Sequence, residues 1–270
     1  MKKSLKDKVV FITGASSGFG ADFGRRFAQE GAIVILAARR MDRLTALAEE
    51  IRLAGGQAFA VALDVTEQSQ VEDAVHNMLE RFGRVDILIN NAGVGRLDWL
   101  EKLDPETGID RQMDVNLVAV IQLTRALLPS MQARRAGHII NISSVAGLIP
   151  APMYSVYAAG KFGLRGFTVA LRRELIPFKI QVSGVFPGGA TTEFGKQSGD
   201  NALKQNYNLP GWLSMSSDYV ARKIVRLARH PRRSLILPWW YGILVAFDTL
   251  FPWLVDWMVN FLFVNKWHHP

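Results

Sequence analysis

Tyr157 and Lys161 stand four residues apart in the stretch YSVYAAGK, and Tyr154 lies three residues before Tyr157. If the stretch is helical, all three side chains point roughly the same way. A tyrosine near its reference pKa of about 10 is a poor base at neutral pH. A lysine one turn away favours the phenolate through its charge, as does the positive ring of an oxidised nicotinamide. Ala158, Ala159 and Gly160, between the two, lack the bulk to keep a cofactor off the helix. The same spacing also arises by chance on an apolar helix face, so the surroundings decide its meaning. Upstream, HIINIS runs into Ser143 and Ser144, either of which can donate a hydroxyl hydrogen to a carbonyl. Asn116 stands among the apolar residues of MDVNLVAV, and asparagine is a mediocre helix former. It is either a satisfied buried amide or an amide holding a water that joins Lys161 to solvent.

Residues suited to a dinucleotide stand nearer the N-terminus. TGASSGFG carries Gly14, Gly18 and Gly20, with Ser16, Ser17 and Phe19 between them. Glycines after a first strand let the backbone turn tightly beside a pyrophosphate, and the next helix offers free N–H groups to it. At the end of the second apolar run, Arg39 and Arg40 occupy the place where an acid would meet a ribose 2′-hydroxyl. Guanidinium there suits a 2′-phosphate and favours NADP(H) over NAD(H), unless both arginines merely open a surface helix. Asp64, followed by Val65, is placed either to accept from an adenine amino group or to cap the next helix. The small residues and amides of NNAG, including Asn91, Ala92 and Gly93, fall at a fourth strand end, where ligands bind in open α/β sheets.

These groups sit at the ends of short apolar runs: 9–13, 33–38, 58–63, 86–89, 138–142, 180–185 and 234–237. The runs are apolar throughout, as parallel strands covered on both faces are, and helix-patterned stretches separate the first six. Strand–helix alternation predicts right-handed crossovers and one α/β domain with a doubly wound parallel sheet. At 49% hydrophobic and 21% charged residues, the chain is not of disordered composition. The absence of cysteine excludes disulfides, thiolate catalysis and cysteine-bound zinc, and no histidine pair has metal-ligand spacing. The basic N-terminus lacks an apolar signal region, which predicts a cytoplasmic setting.

Taken in order, TGxxxGxG, Asp64, NNAG, Asn116, the serine, YxxxK and Pro187-Gly188 followed by Thr192 resemble the short-chain dehydrogenase/reductase family. The resemblance runs from about Val9 to Leu237. It implies a Rossmann-type sheet of order 3-2-1-4-5-6-7 and an NAD(P)-dependent alcohol/carbonyl oxidoreductase that commonly forms dimers or tetramers. It selects Ser144, thirteen residues before Tyr157, over Ser143. Tyr157 is then the proton donor, Ser144 polarises the carbonyl, Lys161 lowers the phenol pKa and contacts the nicotinamide ribose, and Asn116 positions a relay water. The turn from Pro187 through Gly188 to Thr192 would meet the carboxamide end of the cofactor.

The resemblance makes residues 191–212 a substrate lid within a catalytic domain of residues 1–238. Val94, Val145, Leu148, Tyr154 and Phe194 are expected around the substrate, and their mostly apolar character favours a hydrophobic alcohol or ketone. Residues 239–270 form an apolar, aromatic helical extension holding five of the seven tryptophans. Pro238 just before it and Pro252 within it break the apolar run, so spanning is not expected. Three readings stay open: core, a subunit interface, or an amphipathic surface resting on the inner face of a membrane. Arg222, Lys223, Arg226, Arg229, Arg232 and Arg233, just before it in sequence, favour an anionic membrane. They also account for much of the +8 net charge better than nucleic-acid binding does.

Overall fold

The computed structural model describes residues 4–190, 193 and 214–265. Thr192, Phe194 and all of the 191–212 segment except Glu193 lie outside the described residues. Seven strands form: β1 (Val9–Thr13), β2 (Ile33–Ala38), β3 (Gln57–Ala62), β4 (Ile87–Asn90), β5 (His138–Ile142), β6 (Gln181–Pro187) and β7 (Ser234–Leu237). All pair in parallel, in the order β3-β2-β1-β4-β5-β6-β7. The chain reverses direction across the sheet between β1 and β4, which opens a crevice beyond their carboxyl ends.

Helices α1 (Gly18–Gln29), α2 (Met41–Leu53) and α7 (Ser217–Arg229) cover one face, with Phe23, Phe27, Leu44 and Ile224 in a single cluster with β1 and β2. On the other face, α3 (Gln68–Phe82), α5 (Ala119–Arg134) and α6 (Ser155–Glu174) bring Val71, Met78, Leu127 and Leu171 against Phe11 and Ile139. Each helix returns the chain to the amino edge of the sheet, so strand ends and helix starts gather at the opposite edge. A buried amide chain keeps that edge in register. Asn90 donates to Asn141 at 2.8 Å and to Thr124 at 3.1 Å, and Asn141 donates to Thr168 at 2.9 Å. Because such groups are costly to leave unpaired, they tie β4, β5, α5 and α6 into one arrangement.

Before α5, the short helix α4 (Arg111–Met113) runs into a wider π-type turn over Asp114–Val118. Past β7 come α8 (Tyr241–Leu250) and α9 (Pro252–Val259), ending in a second π-type turn over Asn260–Val264. No residue of these last three segments is fully buried, which removes core as the reading of the tail. No single described helix is long and apolar enough to cross a membrane, though α8 and residues 252–264 together are, bent by 106°.

The last half of the basic run does not lie beside this tail. Arg229, Arg232 and Arg233 precede β7, at the amino edge, whereas α8 leaves from the carboxyl edge about 13 Å away along four residues of strand. Two of the six cations are moreover paired, Arg222 with Asp218 and Arg229 with Glu30. Neighbours in sequence are thus separated by the strand between them.

Candidate active site

The glycine turn after β1 is closed by contacts that leave no room for a side chain. Gly14 has φ +65°, and a Cβ on it would lie 2.8 Å from Ala92 Cα. A Cβ on Gly20 would lie 2.3 Å from the Gly14 carbonyl oxygen, so α1 packs directly onto the turn. Asn91 fastens it from β4, donating to the carbonyls of Thr13 at 2.9 Å and Gly14 at 3.2 Å. Its amide is therefore structural, and Thr13, whose hydroxyl accepts from the N–H groups of Asn91 and Ala92, is a partner that the motif alone does not reveal. Ser17 precedes α1 without a side-chain cap, and the first turn holds no acid. Free N–H groups and the positive end of the helix dipole face the cleft there.

An anion cradle adjoins this helix start. Arg40 donates to the Ser16 hydroxyl at 2.9 Å and to that of Ser17 at 2.8 Å, while Arg43 reaches the Glu193 carboxylate at 2.8 Å. Arg40 also meets Glu193 at 3.2 Å. The Arg43 hydrogen bond, aided by Arg40, holds the Glu193 carboxyl below its usual range. A carboxylate thus already occupies this cluster of cations and hydroxyls. Arg39 and Arg40 both border the cleft; Arg39 leans toward Asp64, 3.8 Å away, and Arg40 toward Ser16, Ser17 and Glu193. Arg43 and Glu193 carry no motif; only Arg43's position one turn beyond Arg40 hints at a shared face.

Asp64 is occupied by its own neighbours. It accepts from the Thr66 backbone and hydroxyl at 3.1 and 2.8 Å and from Arg111 at 3.0 Å. Burial pushes its carboxyl up, and these hydrogen bonds outweigh that and hold it below the usual range. Its side chain therefore organises the turn after β3, alongside Val65, at the cleft wall.

Beyond β5 the two serines separate. Ser143 donates to the Lys161 carbonyl at 3.1 Å, whereas Ser144 starts a 3-10 turn over Val145–Gly147 and shares a hydrogen bond with the Tyr157 phenol. Tyr154 immediately precedes α6, its ring edge-to-face with that of Tyr157 at 6.1 Å. Tyr157 and Lys161 are both buried, and the Lys161 ammonium donates to the Ile142 carbonyl at 3.2 Å. Burial pushes the Tyr157 phenol up to about 12, only partly offset by Ser144. Burial also brings Lys161 down to about 8. Desolvation dominates both groups, and the lysine nitrogen lies 5.7 Å from the tyrosine ring centre.

Asn116 lies in the Asp114–Val118 turn, wholly buried. Its amide donates to the Val94 carbonyl at 2.8 Å and its oxygen accepts from the Val94 N–H at 3.1 Å. A Cβ on Gly93 would touch both the Asn116 oxygen, at 3.1 Å, and the Lys161 nitrogen, at 3.5 Å. Asn116 thus fixes the NNAG loop beside Lys161 without itself lining the cleft.

A single cleft of about 1370 Å³ joins the glycine turn, the Arg40 cradle, Ala92, Gly93, Ser144, Tyr157, Lys161, Pro187 and Gly188. Val94, Val145 and Tyr154 line its inner end, but Leu148 does not: it is buried, and Ile149 takes the wall position. The far wall comes from the tail, through Tyr241, Leu244, Phe247, Met258 and Leu262. Composition marks this tail as apolar, but nothing in the sequence shows that it folds back over the site.

The chain matches the short chain dehydrogenase family over residues 8–202. It is a short-chain dehydrogenase/reductase. This member of the family is 38% identical over 184 residues to a 3-oxoacyl-[acyl-carrier-protein] reductase from Thermotoga maritima, covering 68% of this chain and 74% of the relative. Identity to the 11-beta-hydroxysteroid dehydrogenase A of Sesamum indicum is 32% over 276 residues, covering 99% of this chain and 79% of that one. Among solved structures, a metagenomic short-chain oxidoreductase in complex with NADP superposes with a TM-score of 0.74 at 32% identity, covering 87% of this chain and 98% of that one. The short-chain dehydrogenase/reductase described here is accordingly an oxidoreductase of the alcohol/carbonyl couple that uses a nicotinamide cofactor.

Proposed function

We propose that the chain is an NADP(H)-dependent reductase of hydrophobic carbonyl compounds, with Tyr157 as general acid. The observation that carries this reading is one cleft that joins the Arg40–Arg43 anion cradle, the buried Tyr157–Ser144 pair and an apolar wall. The cradle favours the extra phosphate of NADP(H), which when bound supplies the hydride. Ser144 donates to the carbonyl oxygen and raises the electrophilicity of its carbon. Tyr157, whose phenol keeps its proton to about 12, gives that proton to the same oxygen as the carbon accepts hydride, leaving the alcohol. Lys161, beneath the ring, stabilises the phenolate left behind. Asn116 holds the NNAG loop, and Tyr154 shapes the substrate end. The steroid-enzyme relative supports a lipid-like substrate; the Thermotoga relative supports a second reading, a 3-ketoacyl reductase.

The test is initial rates on aldehydes and ketones of increasing chain length, with NADPH and with NADH. NADPH should exceed NADH at least about tenfold in kcat/KM, a difference of about 1.4 kcal/mol. Tyr157→Phe should bind NADPH and turn over at least about a hundredfold more slowly. Equal rates with NADH would remove the cradle assignment. Preference for carrier-linked 3-ketoacyl chains would select the second reading.

A further inference from the structure

We propose that α8, α9 and the 260–264 turn lie flat on the surface of a lipid bilayer and pass hydrophobic substrate from it into the cleft that they wall. The route into the cleft rests on the hydrophobic-carbonyl reading above; the membrane contact does not.

The helices present two different apolar faces. Val255, Met258, Val259 and Leu262 line the cleft. Trp253, Trp257 and Phe261, at four-residue spacing, do not, and they are 69%, 61% and 61% exposed. Ile243 and Leu250 extend the outer stripe along α8, at 60% and 69%. At the other end, Phe263 packs on Trp99, whose neighbour Leu100 is 57% exposed.

A protein partner would need about one hydrogen bond per 100–200 Å² of interface. Along Ile243, Leu250, Trp253, Trp257 and Phe261, the only hydrogen-bonding side-chain atoms are indole N–H groups, which suit the boundary between headgroups and acyl chains. The combined length and hydropathy of α8 and residues 252–264 reach those of a membrane segment, but the 106° bend turns the chain back. Asp256 and Asn260, one turn apart at the border of the stripe, are exposed. A carboxylate is expensive in hydrocarbon, so Asp256 keeps the helices at headgroup depth. Because Arg229, Arg232 and Arg233 lie at the opposite edge of the sheet and Arg222 is paired with Asp218, apolar insertion and not charge holds the protein there.

The test is flotation of the full chain with neutral phosphatidylcholine vesicles at about 1 M salt, where the Debye length is ~3 Å. The protein should float, with its tryptophan emission shifted to the blue. A Trp253→Ser, Trp257→Ser, Phe261→Ser variant should stay at the bottom while keeping NADPH-dependent turnover of a short, water-soluble aldehyde. For a long-chain ketone dissolved in the vesicles, its KM should rise at least about tenfold, as lost apolar contact predicts. A wild-type chain that stays at the bottom, or that floats only on anionic lipid and is released by salt, overturns the proposal. A wild-type dimer that the variant converts to monomer, with no vesicle binding, gives this face to a second copy and also overturns it. If no carbonyl is reduced by either protein, the functional reading fails while flotation still decides the membrane contact.

Discussion

Tyr157 holds its proton up to about 12, whereas Lys161, beneath it, releases its own near 8. On the proposed mechanism, the titration that governs carbonyl reduction near neutrality belongs to the lysine. Below about pH 8 Lys161 is charged and favours transfer of the phenol proton; above it the developing phenolate loses the lysine charge. The expected profile is a kcat/KM for reduction that falls on the alkaline side with an apparent pKa near 8, read from rates between pH 6 and about 10. Lys161→Met should be slower throughout and lack this limb. The Glu193 carboxylate shares Arg40 and Arg43 with any incoming phosphate. Removing that competitor in Glu193→Gln should tighten NADPH binding about fivefold, about 1 kcal/mol, with NADH little changed. Fluorescence titration of the nucleotides checks it; equal tightening of both would show that Glu193 does not compete with the phosphate.

Elements that bury both faces were legible in the sequence. The runs at 9–13, 33–38, 138–142 and 234–237 match their strands residue for residue, and the other three differ only by a residue or two at their ends. The reason is physical: a parallel strand under two helix layers has no solvent face, so its whole length is apolar. The glycine turn and the YxxxK helix were equally plain, because backbone clearance and one helical turn are local properties. What depended on distant contacts was not. Arg40 sits at the centre of the cation cluster because Ser16 and Ser17 in one segment and Glu193 in another converge on it. Desolvation dominates the Tyr157 phenol, and burial is a property of the packed domain. Leu148 turned into the interior while Ile149 took the wall. Asn116 is read correctly as an amide in an unusual helical setting, but Val94, its partner on both sides, stands in another loop.

At the scale of the molecule, the sheet and its two helix layers form one unit, and the tail is an addition that shapes the cleft without supporting the core. The two buried clusters draw no residue from α8, α9 or the 260–264 turn. Tyr241 ties the tail to the catalytic floor: a Cβ on Gly188 would lie 2.3 Å from its ring. Ending the chain after Gly242 keeps that contact and removes the wall. Because the core is untouched, the shortened chain should melt within about 4 °C of the full one, the shift that ~1 kcal/mol produces in a domain of this size. NADPH affinity should persist, since the glycine turn and the Arg40 cradle are intact. Long-chain ketones, however, lose the surface formed by Leu244, Phe247, Met258 and Leu262, and their kcat/KM should fall at least about tenfold more than that of short aldehydes, the equivalent of two buried methylenes. Melting curves and a chain-length series on the two proteins decide it. A drop of more than about 10 °C would mean that the tail supports the core, and an unchanged chain-length preference would mean that the apolar wall does not select the substrate.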